Sequence, residues 1–225
     1  MKINVIYNLN TYEKVKMRCS YFLLCILIFN QDSLSSQSTD IQKGFQAEIV
    51  AGSNFSQLDG DRLSGFNKFG LRAGLRLAYP LNNKKGWVLG ILYDQRGSST
   101  GIISKGGFSQ HISLDYIALP LSMYFNSWWN EPIRRHKVSV YGSLIPARLV
   151  RTESSHALFD DNTDNFKRWD VSFAIGVAYS VGRRGSIHLR IERSMLKIYR
   201  TPGTDITGLQ SYLISIQYGF LLNEL

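Results

Sequence analysis

The sequence predicts an all-β fold, an eight-stranded antiparallel up-and-down transmembrane β-barrel. Three observations lead there. From residue 44 onward apolar residues recur with a period of two, not 3.6, in eight segments of at least nine residues. In several of these segments the face opposite the apolar one carries charges interleaved with glycine and alanine. The connections sort into short turns and long loops, as they do at the two ends of a membrane barrel.

The first 36 residues read as a signal peptide. Lys14, Lys16 and Arg18 precede the apolar run "YFLLCILIF" (21–29), followed by a Ser-rich polar stretch with a small-x-small pattern at Ser33-Leu34-Ser35. Nine apolar residues fall short of the ~20 that a spanning helix needs. Residues 37–43 form a short linker, and 44–225 the barrel domain. Both cysteines, Cys19 and Cys25, lie in the signal, so the exported chain has no thiolate for metal, disulfide or nucleophilic chemistry. The formal net charge is +9, and removing the +2 of residues 1–35 (Lys2, Lys14, Lys16 and Arg18 against Glu13 and Asp32) leaves +7. In an exported protein that excess points to anionic lipid or protein partners and away from nucleic acid. The mean hydropathy of -0.12 does not argue for solubility, because alternating strands average out near zero.

The eight segments are 44–57, 67–81, 86–97, 110–126, 137–152, 168–182, 186–199 and 210–222. Nine residues is about the length with which a tilted strand crosses a bilayer. In the second, Phe69, Leu71, Ala73, Leu75, Leu77 and Tyr79 oppose Gly70, Arg72, Gly74, Arg76 and Ala78. In the third, Trp87, Leu89, Ile91 and Tyr93 oppose Val88, Gly90, Leu92, Asp94 and Arg96. The sixth sets Val171, Phe173, Ile175, Val177, Tyr179 and Val181 against Asp170, Ser172, Ala174, Gly176, Ala178 and Ser180. The seventh sets Ile187, Leu189 and Ile191 against His188, Arg190 and Glu192.

A soluble barrel, such as a lipocalin-like ligand carrier, would turn the apolar face inward. Two features predict the inversion. Small residues cluster on the charged face, where side chains crowd inside a narrow tube. Tryptophans gather near strand ends: Trp87, Trp128 and Trp129 by short turns and Trp169 by a long loop, forming an aromatic girdle. "LNNKKG" and "GRRG" are tight turns, whereas the connections after segments one, three, five and seven are long. "SWWNEPIRRH", after segment four, is intermediate and breaks the pattern. With a periplasmic N-terminus, the long loops face the cell exterior and the chain lies in the cell outer membrane.

These residues resemble the PorT-like outer-membrane β-barrel proteins, common in Bacteroidota. The resemblance runs from about Gly44 to Phe220 and is carried by "GFQAEIVAGSNFSQLDGDRLSGFNKFGLRAGL" (44–75), "LGILYDQRGS", "LDYIALPLSMYF" (114–125), with Tyr116 and Pro120, and "WDVSFAIGVAY" (169–179). Barrels of this kind often end on an aromatic residue, whereas Phe220 is followed here by five further residues. The resemblance implies an eight-stranded barrel and no shared catalytic activity.

For chemistry, the inward-facing set is Glu48, Arg72, Arg76, Asp94, Arg96, Asp170, His188, Arg190 and Glu192. Its mixed signs predict a paired polar network that fills the tube, since an unpaired buried charge is costly. The loop "DDNTDN" (160–165) places Asp160, Asn162 and Asp164 at calcium-loop spacing, but Asn165 stands where Gly belongs and Val171 where a bidentate Glu belongs. With Phe159 it reads as a surface loop for recognition, and no metal or other cofactor is expected. His111 and Ser113 are the one pair that an envelope-lipid hydrolase, of the lipid A deacylase kind, could use, with Asp115 nearby. The basic turns, Lys84-Lys85, Arg134-Arg135 with Lys137, and Arg183-Arg184, suit either solubility or anionic head groups. The reading is a monomeric, non-enzymatic barrel with a structural or binding role, surrounded by outer-membrane lipids and open to a periplasmic or extracellular protein partner.

Overall fold

The computed structural model describes residues 44–61, 65–100, 110–133, 135–155, 165–199 and 208–222. The proposed signal and linker, residues 156–164 of the third long loop, and Arg134 lie outside them. The strands are β1 (Gln46–Asp59), β2 (Lys68–Pro80), β3 (Lys85–Ser99), β4 (His111–Ala118), β5 (Leu121–Asn130), β6 (Arg135–Ser154), β7 (Trp169–Val181), β8 (Gly185–Ser194) and β9 (Gln210–Leu221). Each pairs antiparallel with its neighbours, and β9 pairs with β1, so the sheet closes on itself.

Nine strands make eight staves. β4 and β5 both lie between β3 and β6, with Ala118 opposite Ala147 and Leu121 opposite Leu144. The register therefore runs straight through the gap on the β6 side, and also on the β3 side, where Leu92 faces Ala118 and Leu89 faces Leu121. The break is Pro120, which has no N–H to give the ladder. Its carbonyl still accepts from the Gly90 N–H at 2.9 Å. Segment four is thus one stave, as the alternation predicts.

The link after that stave is tighter than its sequence looks. β5 runs on to Asn130 and β6 begins at Arg135, with Trp129 opposite His136 and a single turn of 3-10 helix, Glu131–Ile133, between the strands. All three internal connections at this end are therefore short, and the apparent exception in the turn pattern disappears. Segment seven stops earlier than predicted. β8 ends at Ser194, whose hydroxyl oxygen lies 2.8 Å from the Leu196 carbonyl, and the chain then folds over the barrel mouth. Ile198 and Tyr199 are both buried there, and Tyr199 bridges to Phe166. The last strand keeps Phe220 on the outer face and Leu221 within, opposite Glu48 of β1.

The inversion of faces is plain in the burial. Leu75, Ile175 and Ile191 lie on the outside, 51%, 56% and 64% exposed, whereas Arg72 and Arg96 are 0% exposed within. Glycine on the inner face makes room for larger neighbours. A Cβ at Gly176 would overlap the Tyr141 ring, and one at Gly219 would overlap the Glu48 carboxylate and the Ser186 hydroxyl. One irregularity lies in the wall. Between β4 and β6, Asp115 pairs with Arg151 but Tyr116 pairs with Leu149, leaving Val150 as an extra residue, a β-bulge.

Toward the long-loop end the interior is apolar. Leu58, Ile112, Leu114 and Leu209, all 0% exposed, pack with Phe166, Ile198 and Tyr199 into a cap over the lumen. Phe166 and Tyr199 meet edge to face, with ring centroids 4.9 Å apart.

The outer wall generates a direct prediction. Leu75 sits midway along β2, between Ile49 of β1 and Ile91 of β3. Leu75→Arg should destabilise the folded barrel in bilayers by about 2–4 kcal/mol in denaturant titrations. Arg76→Lys, which keeps a positive charge on the inner face beside Glu48, should cost less. The opposite order of sensitivities would reverse inside and outside.

Candidate functional site

All nine residues of the inward-facing charged set point into the lumen, where they form two connected clusters. The one nearer the short turns joins β1, β2 and β8. Arg76 Nη1 lies 3.4 Å from Glu48 Oε2 and donates to His188 Nδ1 at 3.1 Å. His188 Nε2 is 3.3 Å from Glu48 Oε1, and the Ser186 hydroxyl donates to the same carboxylate. The Arg76 guanidinium sits 5.5 Å from the centre of the Tyr141 ring.

The second cluster spans the tube. Arg96, on β3, lies 2.8 Å from Asp94, 3.0 Å from Asp170 on β7 and 2.8 Å from Glu192 on β8. Going round the ring, three staves lie between β3 and β8 in either direction, so the Arg96–Glu192 contact crosses the full diameter. Arg72 donates to Glu192 at 3.0 Å and lies 3.5 Å from Asp94. Arg190 lies 3.5 Å from Glu192. The Tyr116 ring covers Arg96 at 4.9 Å. Arg72, Arg76, Arg96 and Arg190 thus face Glu48, Asp94, Asp170 and Glu192, and the formal charges balance.

Several members of this network escape a reading that looks only for charge. The Asn54 amide donates to the Asp94 carboxylate and to the Gln95 carbonyl at 3.1 Å. Ser172 donates to Asp170 at 3.1 Å, and Ser194 donates to its other oxygen. In the sequence the period of two puts these small polar residues on the correct face. Nothing there separates a spacer from a hydrogen-bonding partner.

On the outside, the four tryptophans are exposed near the strand ends. Trp128 and Trp129 are adjacent, and adjacent residues of a regular strand face opposite ways. Both lie outside because Trp128 takes a left-handed backbone, with φ of 60°, a conformation costly for a bulky residue. Trp129 Nε1 donates to Glu131 at 2.8 Å. The belt is wider than tryptophan alone. Tyr79, Tyr179 and Tyr218 are exposed toward the short-turn end, and Phe55 stacks edge to face on Phe69 toward the other.

The basic turns stay together at the short-turn end, where Arg135 donates to the Arg183 carbonyl at 2.9 Å. Phe159, Asp160, Asn162 and Asp164 lie outside the described residues, so the loop they form has no structural account. Among the described residues there is no group of three or more His, Cys, Asp or Glu arranged to hold a metal ion. His111 does not pair with Ser113. Its Nδ1 lies 2.7 Å from the Ser155 hydroxyl across the β4–β6 ladder, while Ser113 is buried in the wall opposite Gly97 and Glu153.

An apolar outer wall, aromatic rings toward both ends and a charge-paired interior define a barrel that spans a membrane through its strands. The chain belongs to the family described as outer membrane protein beta-barrel domain, which matches residues 29–199, and it resides in the outer membrane. The match stops short of β9, the strand that closes the barrel in the structure. No curated protein matches the chain. Among solved structures, it is similar to the attachment invasion locus protein Ail of Yersinia pestis, at 16% identity over 79% of this chain and 98% of that one (TM-score 0.45). Neisserial surface protein A is similar at 12% identity over 78% and 96% (TM-score 0.44). OprG of Pseudomonas aeruginosa is similar at 12% over 80% and 95% (TM-score 0.39).

Proposed function

We propose that this chain is a non-enzymatic, non-conducting barrel of the PorT-like kind, a structural and binding module that works through its long loops on the cell exterior. The observation that carries this is the filled lumen. The guanidinium of Arg96 reaches carboxylates on three strands, and the apolar cap lies between that network and the long-loop end. Charges held in mutual pairs are not available to conduct ions or to activate a substrate. Recognition then falls to surface loops held on a rigid scaffold. The PorT-like assignment is supported by the residue patterns of 44–75 and 169–179. Lipid surrounds the barrel as a monomer, and a protein partner engages it from outside or from the periplasm.

Two measurements test this. Purified barrel in planar bilayers should give no stable stepwise conductance; steady open channels would contradict a filled lumen. Both cysteines lie in the proposed signal, so single cysteines can be introduced without background in the exported chain. A membrane-impermeant thiol reagent on intact cells should label Ser155→Cys and spare Asn83→Cys. The reverse pattern would invert the topology and remove the loops from the cell exterior.

A further inference from the structure

The outer wall is not uniformly apolar. Beside the bulge at Val150 it opens into a groove of about 640 Å³, within the size range of ligand sites. Ile117, Leu119, Pro146 and Val150 make its apolar floor. Arg148, Arg168 and Trp169 line it as well, and these three lie toward the long-loop end of β6 and β7. Arg148 is the register partner of Trp169 and sits 5.9 Å from its ring centre. Among the described residues neither Arg148 nor Arg168 is in an ion pair, whereas Arg151, three residues beyond Arg148, is joined to Glu153.

Arginine on the lipid side of a barrel costs about 2–4 kcal/mol at the midplane and about 0–1 near the interfaces. Trp169 marks the interface level, so the two guanidinium groups sit at head-group depth, directly above apolar wall. A bulge is a frequent means of re-aiming side chains in a wall. Here the extra residue turns Val150 outward between Arg148 and Arg151, with Val150 55% exposed, and so forms one edge of the groove. The site has a cationic rim able to take phosphate oxygens in two forks and a floor that suits a hydrocarbon chain.

We propose that this groove binds a phosphorylated, multiply acylated glycolipid of the outer leaflet, with phosphate on Arg148 and Arg168 and an acyl chain along Ile117, Leu119 and Val150. A zwitterionic phospholipid carries its own ammonium beside its phosphate and meets two arginines less well. The proposal rests on the long loops facing outward, which thiol labelling tests independently of lipid binding.

The test is native mass spectrometry of the full folded barrel in neutral detergent, titrated with lipid A bearing two phosphates, with its dephosphorylated form, or with phosphatidylglycerol. Folding is read in each sample from the faster gel migration of unboiled protein. The wild-type barrel should retain bisphosphorylated lipid A in preference to the other two. The R148Q/R168Q variant should weaken that retention about tenfold, and R183Q/R184Q, altered at the opposite end, should match wild type. If the double variant does not fold, R148Q and R168Q singly carry the same comparison, each weakening retention about threefold. Unchanged retention in the Gln variants, equal retention of phosphatidylglycerol, or equal loss in R183Q/R184Q would overturn the proposal.

Discussion

Everything in this structure answers to the narrowness of a tube closed by eight staves. In lipid the backbone has no water to turn to, so the wall must close upon itself and every strand edge must be paired. Closure at this size leaves an interior just wide enough for side chains. The chain fills that space with arginines and carboxylates, and Arg96 is the member that reaches farthest, from β3 to Glu192 on the opposite stave. Charges in such a place are tolerated only as partners, since each ion left alone would carry several kcal/mol of uncompensated desolvation. The balance of four arginines against four carboxylates follows from that constraint.

The network also specifies register. A one-residue slip of any stave would exchange its faces. For β2 it would place Arg72 and Arg76 in lipid and Leu71, Leu75 and Leu77 against carboxylates. Wall and interior therefore enforce the same alignment from opposite sides. The glycines belong to this arrangement, because Gly176 and Gly219 leave the space that Tyr141 and Glu48 occupy. That mutual pairing of the lumen charges is what supports the proposed structural and binding role. On the proposed reading, the arginines beside Trp169 on the outer wall and the long loops are where the molecule would meet other molecules.

Much of this was legible in the sequence because a membrane barrel writes its two solvents into alternate residues. The faces of β2, β3, β7 and β8 and the nine inward charges can be read directly from the period of two. The parts that were not legible depend on events that periodicity does not record. Pro120 interrupts hydrogen bonding without altering register, so one stave becomes two strands. The "SWWNEPIRRH" link looks longer than it is because β5 and β6 continue pairing into it. Ile198 and Tyr199 extend the alternation of β8 on paper, but both are buried under the barrel mouth. The apolar cap, with Leu58, Ile112 and Leu209, contradicts the expectation of a polar interior, since alternation assigns a face but not a height along the axis. The groove by Val150 arises from a shift of phase within "ARLVRTES", where outward-facing Arg148 and Arg151 stand three residues apart instead of two or four.

Charges meeting across the lumen hold this barrel in its closed, filled form. The most direct measurement is a double-mutant cycle on Arg96 and Glu192, using Arg96→Met, Glu192→Leu and the pair together, with unfolding free energies from denaturant titration of the barrel in lipid vesicles. Each single change strands buried charge and should cost about 3–5 kcal/mol. The double variant should recover part of that loss, giving a coupling of about 1.5–3 kcal/mol between residues on opposite staves. A coupling indistinguishable from zero, with the single losses simply adding, would mean that the wall alone holds the barrel and that its charged interior is a passive filling.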